Sequence, residues 1–164
     1  MPAAERGKPK PVFFLDTNVL VYAFSGQDAS KREIARALAE SDGAWVSTQV
    51  LSELASVLTR RFRVPAPEAR ERVAGIAAGC EVMVVSPSIV LDAFRVMERW
   101  GYGFFDSQIV TTALACGASI LYSEDLHDGQ TVDESLAIRS PFRLRAEQRA
   151  KPYRGRKRRA DARA

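Results

Sequence analysis

The stretch Val12-Phe13-Phe14-Leu15-Asp16-Thr17-Asn18-Val19-Leu20-Val21-Tyr22-Ala23-Phe24 governs how the rest of the chain is read. Its first four residues are a continuous apolar run, the pattern of a strand buried on both faces. The run ends at Asp16, and Asn18 is placed to cap a helix through Val19, Leu20, Val21, Tyr22 and Phe24. A fully buried strand that passes straight into a helix belongs to a layered α/β domain, and its terminal carboxylate emerges at the rim of the sheet.

The chain continues the alternation. Ser30 and Glu33 have capping-box spacing before Ile34, Ala35, Leu38 and Ala39, with Gly43 placed to end that helix. Ala44 to Ser47 reads as a short strand. Thr48 then opens a helix through Val50, Leu51, Leu54, Val57 and Leu58 that stops before Pro65. Pro67 and Glu68 start a helix ended by Gly79, and Val82 to Val85 is strand-like. Ser86 and Pro87 suit the cap and first turn of a helix through Ile89, Val90, Phe94 and Met97, closed by Gly101. Phe104 to Ala115 reads as helix, Ser119 to Tyr122 as strand, and Leu136 to Ile138 as a last short strand before Pro141. The expected fold is α/β, with a mainly parallel central sheet flanked by helices on both faces.

At 164 residues, with 46% hydrophobic and 27% charged residues, the chain supports one core. No apolar stretch approaches the roughly 18 residues needed to span a bilayer, and the N-terminal segment lacks the apolar stretch of a secretory signal, so no membrane association and a cytoplasmic location are expected. Cys80 and Cys116 fit no metal-ligand spacing and read as free thiols. The formal charge of +4 conceals a division. Residues 11–150 carry 14 Lys and Arg against 18 Asp and Glu, whereas residues 151–164 carry seven basic residues and one acid. Residues 1–10 are expected to be a disordered head, 11–150 the folded domain and 151–164 a disordered basic tail, with a phosphate-contacting arm as the tail's alternative role.

Four acids carry the only chemistry the sequence offers. Asp16 ends the first strand, where it can act as a helix cap or as a ligand. At about 100° per residue, Glu53 falls roughly 40° from Val57, at the edge of its helix's apolar arc, and is expected to be half-buried. The same arithmetic puts Asp106 roughly 20° from Ala113, inside the apolar arc, facing the core. Capping is the alternative role for Asp106, although Ser107 can cap equally well. Asp125 ends the strand SILYSE in a loop where turn chemistry also accommodates Asp.

Two carboxylates about 4 Å apart repel by about 4 kcal/mol at an effective dielectric near 20. A cluster of them therefore calls for protons or a hard cation. Oxygen donors without His or Cys favour Mg²⁺, or Mn²⁺, over Zn²⁺. The lone His127 reads as a loop residue.

The order and context of these motifs resemble the PIN-domain ribonucleases, in particular the VapC-like toxins of bacterial toxin-antitoxin pairs. FLDTNVLVYAF is similar to that family's first strand with its metal-binding Asp, SELASVLTR to its Glu-bearing helix, and GYGFFDSQIVTTALACGASILYSEDL to its closing block. The resemblance spans residues 12–144. It implies a PIN-like α/β/α sandwich with Asp16, Glu53, Asp106 and Asp125 as catalytic acids, Asp16 and Asp106 as chief metal ligands, and Asn18 and Ser123 as supporting polar groups. Asp125 is preferred to Glu124 because the family pattern is Thr or Ser, any residue, Asp.

The implied activity is hydrolysis of RNA phosphodiesters by metal-activated water. The implied partners are RNA, a cognate antitoxin and a second copy of the chain. Arg60, Arg61, Arg63, Arg95 and Arg99 are candidate phosphate contacts, or else a solvated helix face. Tyr22, Phe24, Phe62 and Trp45 are candidate partner-facing aromatics. Competing expectations are a catalytically degenerate PIN-like module that binds RNA or protein, a housekeeping PIN nuclease and an α/β phosphatase. Phosphatases generally need an acid two residues after the first Asp, where this chain has Asn18.

Overall fold

The computed structural model describes residues 11–143. The expected head and basic tail lie outside the described residues. Elements run β1 (Phe13–Leu15), α1 (Thr17–Phe24), α2 (Ala29–Ala39), β2 (Ala44–Ser47), α3 (Thr48–Ser56), α4 (Ala66–Gly79), β3 (Glu81–Met83), α5 (Pro87–Trp100), α6 (Phe104–Ala115), β4 (Ile120–Tyr122), β5 (Thr131–Val132) and β6 (Leu136–Arg139). A π-helical turn, Val57–Arg61, extends α3.

The strands form one sheet in the order β3-β2-β1-β4-β6-β5. Every pairing is parallel except that of β5 with β6. Phe13, Phe14 and Leu15 are all buried, although successive strand residues point to opposite faces. Both faces of β1 are therefore covered, as the uninterrupted apolar run requires. Helix α1 packs on both α2 and α3, α3 packs on α4, and α5 packs on α6. Leu20, Val46, Val50, Leu54, Ile109 and Leu121 join the β1 side chains in the core. Full burial of each large apolar side chain contributes about 2 kcal/mol.

Several local expectations are corrected. Asp16, not Asn18, is the N-cap of α1, its carboxylate accepting the Thr17 N–H. The capping box at Ser30 and Glu33 is displaced by Asp28, which accepts the Lys31 N–H and starts α2 earlier. Gly43 lies beyond the end of α2 for a different reason. It has φ of +89°, and a Cβ there would approach the Pro11 carbonyl to 2.3 Å.

Strand β3 begins and ends earlier than expected. Its last partner is Ser47, beyond which the neighbouring strand gives way to α3. Strand β6 falls where a last short strand was expected, but its antiparallel hairpin partner β5 was not expected. The hairpin turn uses Asp133 and Glu134, both with positive φ, where Asn-Gly or Asp-Gly is the usual signal. Ser86, Pro87 and Gly101 take the expected places around α5, Gly101 as its left-handed cap. Both cysteines are free thiols, and no helix among the described residues is long and apolar enough to cross a membrane.

Candidate functional site

Strand β1 is flanked by β2 on one side and β4 on the other, so sheet order reverses between β1 and β4. In parallel α/β sheets the crevice at such a point, beyond the carboxyl ends of the strands, is the natural binding place. Asp16 follows β1 directly, and Ser123 follows β4. Pairing of Leu15 with Tyr122 sets the two side by side.

A cleft of about 390 Å³ opens there. Asp16, Glu53, Asp106 and Asp125 all line it, together with Thr17, Asn18, Arg61 and Glu124. The four acids come from the junction of β1 and α1, from α3, from α6 and from the loop after β4, positions up to 109 residues apart in sequence. The fold thus brings into one cleft the set expected from sequence, but the surroundings of each member differ.

Asp16 is buried, with 7% of its surface exposed. One oxygen accepts the Thr17 N–H at 2.6 Å; the other accepts the Ser123 hydroxyl at 2.7 Å and the Asn18 amide at 3.0 Å. Burial nevertheless pushes its carboxyl up from 3.8 to about 6; the Ser123 and Thr17 hydrogen bonds oppose that rise, and the charges of Glu53 and Asp106 add to it. The Asn18 amide also donates to Asp125 at 3.0 Å, so Asn18 joins the two strand-borne acids. Its own carbonyl accepts the Glu124 N–H at 3.1 Å.

Glu53 is half-buried as expected, accepting from the Thr17 hydroxyl and the Gln49 amide, each at 2.7 Å. Asp106 does not face the core. It stands in the first turn of α6, exposed at the cleft, because Gly103 caps that helix and the acid's arc meets open space. Cleft walls still strip part of its hydration, which raises its carboxyl, and the charges of Asp125 and Glu53 push in the same direction. Ser107, the other cap candidate, is fully buried, and its hydroxyl is the one buried side-chain polar atom without a partner among the described residues.

Glu124 also lines the cleft, but its carboxylate is paired with Lys31, which rests over the rings of Tyr22 and Phe142. Asp125, with no cationic partner among the described residues, is left facing the acidic set. His127 is an exposed residue of the same loop and does not line the cleft.

The donor chemistry fits a hard divalent cation: oxygen atoms only, two acids with raised carboxyls, and mutual repulsion that a cation would relieve. The geometry is that of one cleft and not yet one coordination sphere. Among the described residues no three His, Cys, Asp or Glu side chains converge tightly enough to chelate an ion. The contacts that sequence did not foresee are those of Thr17, Gln49 and Gln108. Only Gln49 carried a signal, standing one helical turn before Glu53.

An α/β sandwich with an acid-lined cleft at its switch point defines the class. The model of the PIN domain matches residues 13–127, and the chain belongs to that family. Solved structures share the fold. Mycobacterium tuberculosis VapC20, described as a sarcin-ricin loop cleaving toxin, aligns at TM-score 0.56 and 22% identity over 69% of this chain and 89% of its own. VapBC2 from Rickettsia felis, bound to a promoter DNA fragment, aligns at 0.59 and 19% over 79% and 98%. DNA-bound VapBC from Salmonella typhimurium aligns at 0.59 and 20% over 80% and 98%. No curated protein sequence matches significantly.

Proposed function

We propose that the chain is a metal-dependent endoribonuclease and the toxin of a type II toxin-antitoxin pair, acting in the cytoplasm. The observation that carries this reading is the shared cleft of Asp16, Glu53, Asp106 and Asp125 at the switch point of the sheet. Asp16 and Asp106 are the chief ligands for Mg²⁺, or Mn²⁺, with Glu53 and Asp125 completing its surroundings or accepting a proton. When bound, a divalent ion lowers the pKa of water and neutralises charge on the phosphodiester.

The protein's own part is to hold the acids and admit the polyanion. Asn18 and Ser123 orient Asp16, and Asn18 also orients Asp125. Of the five arginines considered from sequence, Arg61 lines the cleft, at the end of the π-helical turn. It is the group to contact a substrate phosphate beside the one that is cut. A PIN relative that cleaves the sarcin-ricin loop supports RNA as the substrate class, and VapBC complexes among the neighbours support an antitoxin partner.

All four aromatics pack in part against the core, and of them Tyr22 and Phe62 also line the cleft, where an antitoxin segment would cover it. For a homodimer the suitable face is on α5. Leu91, Phe94 and Met97 are exposed at three-residue spacing, and Phe94 meets Phe104, which in turn meets the exposed Phe105.

The test is cleavage of total RNA by purified protein with Mg²⁺, Mn²⁺ or EDTA, alongside Asp106→Asn. The expected result is chelator-sensitive cleavage that the variant loses by more than about 100-fold, the upper end of what removing even an outer-shell partner of a metal costs. Equal cleavage by the variant, or indifference to EDTA, would overturn the reading.

A further inference from the structure

We propose that Gln49 and Gln108 are positioning residues that fix the Glu53 carboxylate as one relay, and that this relay tunes the affinity of the cleft for its cation. The inference rests on the metal-dependent reading above and refines it. Both oxygens of Glu53 are engaged: Thr17 donates to one, and Gln49, one turn earlier on the same helix face, donates to the other. The Gln49 nitrogen also donates to the Phe105 carbonyl at 3.2 Å, and its oxygen accepts from the Gln108 amide.

Every hydrogen-bonding atom of the Gln49 amide is thereby used, and in one orientation. Flipping the amide would set its oxygen against the Glu53 carboxylate and the Phe105 carbonyl, and its nitrogen against the Gln108 donor. The Phe105 carbonyl and the Glu53 carboxylate, which can only accept, set which way the Gln49 amide faces; Gln108 braces it there by donating to its oxygen, and Gln49 in turn holds Glu53.

Placement gives the relay a purpose. Phe105 immediately precedes Asp106, and Gln108 follows it by two residues, so Gln49 ties the helix bearing Glu53 to the turn bearing Asp106. Gln108 is buried, with 7% of its surface exposed, and a buried amide costs free energy unless it is hydrogen-bonded. An apolar side chain would fill that position at lower cost if packing were its only duty. Neutral amides also orient a carboxylate without cancelling its charge, whereas Lys or Arg in their place would compete with a cation.

The experiment measures Mn²⁺ binding by calorimetry in the absence of RNA, together with thermal melting and RNA cleavage. The proteins are the full chain, Gln49→Met, Gln108→Met and the double variant. Gln49 stands at a half-exposed helix position, so Gln49→Met retains the fold even if Gln108→Met does not. Gln49→Met is expected to weaken Mn²⁺ binding about tenfold, the cost of losing an outer-shell partner. The double variant is expected to bind no more weakly than Gln49→Met alone, because Gln108 acts through Gln49.

Unchanged Mn²⁺ affinity in Gln49→Met, or losses that multiply in the double variant, would overturn the relay. If Gln49→Met weakens Mn²⁺ binding while no RNA is cut by the unmodified chain, the nuclease reading fails and the relay stands. If metal-dependent cleavage is seen while Gln49→Met binds Mn²⁺ normally, only the relay fails. Absence of Mn²⁺ binding by the unmodified chain would sink both.

Discussion

The strand rim of the cleft, carrying Asp16 and Asp125, is joined by side-chain hydrogen bonds, whereas the helix rim, carrying Glu53 and Asp106, holds one acid at both oxygens and the other at neither. Asn18 donates to both strand-borne acids, and Ser123 donates to Asp16 from 107 residues away. On the helix rim the Gln49 amide reaches the backbone beside Asp106, but no side-chain hydrogen bond reaches Asp106 itself among the described residues. The difference follows from the scaffold. Paired strands fix their ends to within a hydrogen bond, so Asp16 can be buried and saturated with donors. Helices packed through apolar side chains fix their faces less closely, and their acids meet the cleft from its edge.

The largest expected effect tests burial of the strand rim. In the metal-free protein the folded value for Asp16, about 6, lies above its ordinary 3.8. The folded state therefore holds the proton more tightly. The associated stability is fully present below about pH 4 and is lost as pH rises through about 6. Its size is about 3 kcal/mol. Urea unfolding in EDTA from pH 4 to 7 should show that decline in the unmodified chain but not in Asp16→Asn, and parallel curves for the two would mean that Asp16 is not the strained acid of this rim. Added Mg²⁺ should restore stability at pH 7 and lose that effect as acid protonates Asp16.

A smaller effect concerns the link itself. Asn18→Ala removes the amide bonds to Asp16 and Asp125 and the acceptor for Glu124 N–H, and should cost about 2 kcal/mol, measured by the same unfolding. A cost near zero would show the two rims to be equally loose.

The smallest expected change lies on the helix rim. Ser107 has a buried hydroxyl without a partner, so Ser107→Ala should raise stability by about 1 kcal/mol, visible as a higher melting temperature. A loss instead would show that the hydroxyl is satisfied and that this rim is as fully bonded as the other.

Particular elements show where local sequence sufficed. Helix α6 begins and ends where apolar spacing placed it, and Ser86, Pro87 and Gly101 bracket α5, because caps and glycine conformations are set by a few adjacent residues. The β5–β6 hairpin escaped notice because Asp133 and Glu134 adopt positive φ under the constraint of strand pairing and not by preference. Helical arithmetic assigned Asp106 to the core because angle around an axis says which residues share a face, but not whether that face is covered at its first turn.

The residue order by itself determined the α/β class and nominated four acids, since burial periodicity and caps are written in neighbouring side chains. Only the tertiary structure decided that these acids share one cleft, that Lys31 engages Glu124 while Asp125 faces the set, and that Gln49 and Gln108 stand behind Glu53. Those outcomes depend on which strands and helices lie side by side, and that adjacency is fixed by packing of the whole core and not by any short stretch of chain.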